Sequence, residues 1–228
     1  MHPEASKPLR VGDDVAYAAP MAVFLAFTWA GDHWPALYPQ TYAAKTFITA
    51  ALLWAFRANY TRISWNFAWL GMIVGILGVI QWVGMETFIN SHWPNYPHMS
   101  HDAYVPAEHL HNHTALWLYI AIRWTGASLV VPVMEELFWR DFLWRTLLAP
   151  NNFKLAAVGE WNLKVFLIVA IAFGAGVHIE WITAIVWGLM IGGLLAWKKS
   201  LGVCIVCHAV TNFLLGAYVL YSGQWAFW

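Results

Sequence analysis

The sequence predicts an all-α protein, a polytopic membrane helix bundle of about seven to eight transmembrane helices. Three observations carry that expectation. Of 228 residues, 61% are hydrophobic and 11% charged, where soluble domains carry about 25% charged residues. The apolar residues come in long uncharged blocks. The 17 Trp suit a chain that anchors amphipathic rings at two membrane surfaces. Net charge is zero, from 12 basic and 12 acidic residues, so no basic footprint for nucleic acid exists.

The elements follow in order. Met1 to Asp14 is a polar lead with Lys7 and Arg10 and no apolar core, so no cleavable signal peptide is expected. The first span, residues 15–31, would serve as an uncleaved targeting signal. Residues 40–56 make a second span, with Lys45 near its start and Arg57 at its end. Residues 63–85 make a third, in which Gly71 and Gly75 give a small-xxx-small spacing for close helix approach. Residues 86–114 read as a loop with Pro94, Pro97 and Pro106 and without Lys or Arg. It holds His92, His98, His101, His109, His111 and His113, whose spacing matches no zinc pattern, so a solvated polar loop is expected.

Residues 114–148 read as one long helix kinked near Pro132. A break there would add an eighth crossing. Residues 149–164 are a polar loop with Lys154, Glu160 and Lys164. Residues 165–179 and 181–197 are two short spans separated by Glu180, and residues 200–228 are an uncharged last span with a Trp-rich tail. The chain is expected to be one membrane domain over 1–228. Residues 15–113 would supply N-terminal helices and the His-rich outer loop, and 114–228 the motif-bearing core.

Basic residues orient the chain. Lys7/Arg10, Arg57/Arg62, Arg140/Arg145/Lys154/Lys164 and Lys198/Lys199 all fall on the cytoplasmic side if 114–148 crosses once, which leaves 86–114 outside. At 1.5 Å per residue, Glu135 and His178 then lie roughly 20 Å, and His208 roughly 15 Å, from cytoplasmic helix ends. Three polar residues on three helices thus arrive near mid-membrane, where ionisable groups face a cavity or each other.

Glu136 and Arg140 are four apart and pair on one helix face, while Glu135 points roughly 100° away. His208 and Asn212 are also four apart and share a face. Hydrolysis of a peptide bond needs a base for water and donors for an oxyanion. Glu135 can be the base, His178 can share the water, and His208 and Asn212 can offer N–H groups. Alternatively, Glu135, His178 and His208 could hold one divalent metal such as zinc. Cys204, Cys207 and His208 spell the c-type haem attachment pattern. Their apolar surroundings read instead as small packing residues, with no haem expected.

Glu135-Glu136-x-x-x-Arg140, the Phe-Gly…His element from Phe173 to His178, and His208-x-x-x-Asn212 resemble the three motifs of the CAAX prenyl endopeptidase and bacteriocin-processing family of intramembrane proteases. The tail from His208 to Trp225 resembles the branch associated with exosortase and PEP-CTERM sorting in bacteria. The resemblance covers residues 130–225. It implies an integral protease of a bacterial inner membrane that cleaves a membrane-associated protein or peptide near the cytoplasmic side. Glu135, His178, His208 and Asn212 would line the pocket, with Glu136–Arg140 as the supporting pair. A sorting-system partner would suit the branch. One departure stands out: four residues, not three, separate Phe173 from His178. On a regular helix that turns Phe173 about 100° off the expected face, away from a pocket role, and suggests a distortion at Gly174 or Gly176.

Glu180 is expected to cap the turn between two short spans, with lining the cavity as the alternative. Arg123 would pair with it or snorkel. Asp141 and Arg145 read as an interfacial pair near the headgroups. The rivals to a protease are a non-catalytic scaffold of a sorting system and a small transporter, against which stands the absence of an internal repeat.

Overall fold

A computed structural model describes residues 12–93, 95–96 and 103–228. Lys7, Arg10, Pro94, Pro97, His98 and His101 lie outside the described residues. The helices are α1 (Asp13–His33), α2 (Tyr38–Ala55), α3 (Ala68–His92), a short α4 (Pro106–His109), α5 (His113–Leu148), α6 (Leu163–Val177), α7 (Trp181–Lys198) and α8 (Leu201–Ser222). The described residues contain no strand, and the fold is a helical membrane bundle. Five helices, α1, α3, α5, α7 and α8, are long and apolar enough to cross a membrane. Helix α6 is apolar but has only 15 residues, and α2 carries a buried Lys45.

The third helix departs most from the span expected at 63–85. Residues 61–67 are not helical, and Phe67 takes a left-handed backbone with φ 66°. The Ser64 carbonyl accepts the Ser200 hydroxyl at 2.8 Å and lies against Gly202, so this stretch is fastened onto the start of α8. At its other end α3 runs on to His92 and includes Glu86, which the sequence assigned to the loop. Glu86 is 3% exposed and accepts from Thr183 Oγ1 at 2.7 Å and Asn90 Nδ2 at 3.2 Å.

The glycine spacing of α3 does what it predicts. A Cβ on Gly71 would come within 2.6 Å of the Val203 carbonyl, and one on Gly75 within 2.6 Å of the Cys207 carbonyl. Their absence lets the backbones of α3 and α8 touch. Thr211 Oγ1 crosses that seam to the Gly75 carbonyl at 3.0 Å. Cys204 and Cys207 are free and buried beside it, in the same core as Trp144, Phe173 and Trp187.

Helix α5 is continuous, which removes the eighth crossing. It widens into π-helical turns at Gly126–Val130 and Glu136–Leu143. The first turn has a cause in the sequence. Pro132 has no N–H, and its ring would press on the carbonyl of Ser128, four residues back, so a wider turn relieves the contact.

The connecting segments sort into two ends. At one end Lys154 pairs with Asp13 at 2.6 Å and donates to the Asn59 carbonyl at 2.7 Å. Arg145 reaches Thr61 Oγ1 at 2.9 Å and the Ala156 carbonyl at 2.8 Å, and Gly159 packs on Lys199. Arg57, Arg62, Lys154, Lys164, Lys198 and Lys199 all belong to this end. At the other end Tyr38 packs on Tyr104 with ring centroids 4.5 Å apart, and Tyr96 stacks on Trp181.

Two expectations about ion pairs change. Asp141 and Arg145 do pair, but inside the protein and not at headgroups, being 0% and 5% exposed. Arg123 is 4% exposed, so it does not snorkel. It donates to the Tyr119 hydroxyl at 2.9 Å and lies under the rings of Tyr42 and Trp228. Aromatic faces thus take the place of Glu180 as its surroundings.

Candidate active site

Helix α6 is roughly 22 Å long, shorter than a hydrocarbon core of about 30 Å. It starts at the basic end, so the turn after it sits within the membrane thickness. Non-helical backbone at that depth is tolerated where it lines a cavity or is buried in protein. The turn does line one. A cavity of about 200 Å³ is bounded by Glu135, Phe173, His178, Glu180, His208 and Asn212, with Trp82, Trp187, Leu215, Phe227 and Trp228 among its other walls. At ~30 Å³ per water this is room for roughly six waters, or for one peptide group with its attacking water.

The structure therefore brings together Glu135 from α5, His178 from the turn after α6, and His208 and Asn212 from α8. Glu135 is 6% exposed, and its Oε2 has no hydrogen-bond partner among the described residues. Glu136, one residue on, turns away from the cavity and is fully buried. Its Oε1 accepts from Arg140 Nη1 at 3.2 Å, as the spacing predicts. The same oxygen is 2.8 Å from His208 Nδ1, a contact across 72 residues that spacing could not reveal. Arg140 also lies over Phe173, 4.3 Å from the ring centroid.

Both imidazoles are held by their Nδ1 atoms. His178 Nδ1 is 2.9 Å from the Phe173 carbonyl. A carbonyl only accepts, so this nitrogen carries the hydrogen and Nε2 keeps its lone pair. His208 Nδ1 faces a carboxylate in the same way. Anchoring one ring nitrogen fixes the tautomer and the ring plane.

Phe173 corrects the sequence reading. It is 1% exposed and lines the cavity, with its ring 4.4 Å from that of His178. The extra residue does not rotate it away because the helix does not reach His178. Helix α6 ends at Val177, and His178 takes an extended backbone at φ −117°, ψ 139°. The break falls there and not at Gly174 or Gly176, which are both helical. Gly174 instead lets α7 approach, with Ile185 and the Trp181 carbonyl against it.

Glu180 also differs from expectation. It stands at the N-terminus of α7 without a side-chain capping bond and lines the cavity. Asn212 is less free than its motif suggests, because its Nδ2 donates to the Ala127 carbonyl at 2.9 Å. The reason lies in the wide turn of α5. The Val131 N–H bonds back to Gly126, and Pro132 has no N–H to offer, so Ala127 has lost both helical donors. Asn212 supplies one from another helix and keeps one amide hydrogen for the cavity.

Glu135, His178 and His208 share the cavity but do not form a ligand set. Among the described residues no three His, Cys, Asp or Glu side chains are grouped so as to hold a metal ion. Sequence reasoning missed Trp82, Trp187, Phe227 and Trp228 as walls, since a tryptophan in a span reads equally well as an interfacial anchor.

In comparisons with known proteins, residues 115–214 match the model of the family described as type II CAAX prenyl endopeptidase Rce1-like. No curated protein and no solved structure matches the chain. The matched segment spans Glu135, Glu136, Arg140, His178, His208 and Asn212, that is, all the polar residues of the expected motifs. Over this segment the chain is similar to the Rce1-like family of CAAX-type proteases, and its long apolar helices are those of a helical membrane protein.

Proposed function

We propose that the protein is an intramembrane endopeptidase in which Glu135 activates the water that attacks a peptide carbonyl. The observation that carries this reading is one cavity, about 200 Å³, lined by Glu135, His178, His208 and Asn212 from three separate parts of the chain. Water gives its proton to the Glu135 carboxylate as its oxygen bonds to the carbonyl carbon. The carbonyl becomes a tetrahedral oxyanion. Glu135 then returns the proton to the amide nitrogen as the C–N bond breaks, leaving an amine and a carboxylic acid, which gives up the second water proton to solvent and departs as the carboxylate. His178 accepts a hydrogen bond from the water through Nε2 and so orients it.

His208 and the second amide hydrogen of Asn212 hold the oxyanion. With Nδ1 committed to Glu136, His208 donates from Nε2 only as the imidazolium. Glu136 carries the opposing charge and Arg140 balances Glu136. No step in this scheme uses a metal. The substrate is a membrane-associated protein or peptide. By its likeness to the bacterial branch, the enzyme resides in a bacterial inner membrane.

Glu135→Gln keeps the shape of the side chain and removes the base. The expected result is a folded, inserted protein whose cleavage rate falls by about 10²–10⁴-fold. Wild-type cleavage by this variant, measured on membranes of co-expressed substrate and enzyme, would end the proposal. Chelation by EDTA or phenanthroline should leave the rate unchanged. Loss of activity that added zinc restores would replace Glu135 as sole activator by a metal.

A further inference from the structure

The cavity has a direction. Its deep residues, Glu135 and His208, are 6% and 4% exposed, while His178, Glu180, Phe227 and Trp228 on its rim are partly exposed. These four rim residues belong to one end of the bundle, while the other partly exposed walls, Ala127, Val131 and Asn212, lie along α5 and α8. His178 and Glu180 lie in the turn after α6, and Phe227 and Trp228 follow the last helix. That is the end without cations. The turn before α2, the whole stretch 86–113, the turn at 178–180 and residues 222–228 hold no Lys or Arg. The opposite end gathers Arg57, Arg62, Lys154, Lys164, Lys198 and Lys199. Short loops rich in Lys and Arg stay in the cytoplasm. The two basic residues nearer the other end, Lys45 and Arg123, are buried among helices and take no part in that count.

From this opposition we infer that the cavity is reached from the extracytoplasmic face of the membrane, and that its substrates are membrane-anchored polypeptides presenting an apolar, extended segment on that side. This deepens the protease reading and rests on it. It also reverses the expectation, implied by family resemblance, of cleavage near the cytoplasmic side. The wall chemistry fits the substrate class, because Trp82, Phe173, Trp187, Leu215, Phe227 and Trp228 offer apolar surface to a segment only one or two side chains wide. Glu180 stands on the rim where such a segment would arrive.

The test reads accessibility and needs no substrate. Ala127→Cys places a thiol on the cavity wall. Tyr221→Cys, at a position 93% exposed at the cation-free end, and Leu155→Cys, at a position 79% exposed in a basic loop, mark the two faces. Wild-type protein controls for the buried Cys204 and Cys207. Each variant is treated with a charged, membrane-impermeant methanethiosulfonate in right-side-out and in inside-out vesicles. Tyr221→Cys should react in right-side-out vesicles and Leu155→Cys in inside-out ones, with Ala127→Cys at least ten-fold faster from the Tyr221 side. Reversed labelling of the two markers overturns the orientation. Reaction of Ala127→Cys from the Leu155 side, or from neither, overturns the route. Retained cleavage by Glu135→Gln would instead sink the protease reading while leaving these accessibilities as they are.

Discussion

Helix α5 carries two acid–arginine pairs within ten residues, and they have opposite fates. Glu136–Arg140 and Asp141–Arg145 have the same i,i+4 spacing, lie in or beside the same wide turn and are equally buried. Around Asp141 the polar groups are spent on structure. Tyr17 donates to its Oδ2 at 2.7 Å, and Arg145 donates to Asp141, Thr61, Lys154 and Ala156. That pair ties α1 and two basic-end loops to α5. Around Glu136 the accounting is incomplete: Glu136 Oε2, Arg140 Nε and Arg140 Nη2 have no partner among the described residues. Instead the pair leans on the cavity, through His208 on one side and Phe173 on the other. A saturated buried pair specifies the fold. One left short of partners and joined to a cavity imidazole costs stability and suits a site.

The comparison can be broken by substitution. Asp141→Asn strips the charge from a buried pair whose arginine remains, so about 3–5 kcal/mol of stability should be lost. Thermal unfolding in detergent reads this, and cleavage per folded molecule should be unchanged. If cleavage fell while stability held, the two pairs would have exchanged roles. Tyr17→Phe removes one hydrogen bond to that carboxylate and should cost about 1.5–3 kcal/mol, again without a change in rate. Glu136→Gln should show the opposite split. It keeps an acceptor for Arg140 or His208 but loses the charge that supports the imidazolium, and cleavage should drop about 10–100-fold. Its loss of stability should be smaller than that of Asp141→Asn, since Arg140 keeps the faces of Phe173 and Trp187. Equal destabilisation by the two variants would erase the distinction.

Much of the bundle was legible in the sequence. Long uncharged blocks gave the helices to within a few residues, because in lipid every backbone group must be satisfied within its own segment. The third helix is the exception. Its start was hidden because Ile63 and Trp65 are apolar enough to read as membrane residues, while the carbonyl of Ser64 between them accepts the hydroxyl of Ser200, the residue just before α8. The four motif residues named for one pocket do line one pocket. Periodicity turned Glu135 away from the Glu136–Arg140 pair and put His208 and Asn212 on one face, and basic residues placed Glu135, His178 and His208 at a depth.

What the sequence determined by itself was local: which stretches are helical, which acid pairs with Arg140, and which glycines let α3 meet α8. These depend on spacing within one segment or on composition alone. The tertiary structure decided whatever depends on where a helix stops and what stands across from it. It ended α6 one residue before His178, and so kept Phe173 in the cavity. It handed Asn212 to a carbonyl that Pro132 had orphaned, and set His208 against Glu136. Each of these joins groups from distant parts of the chain, and side chains 70 or more residues apart meet only once the helices have packed.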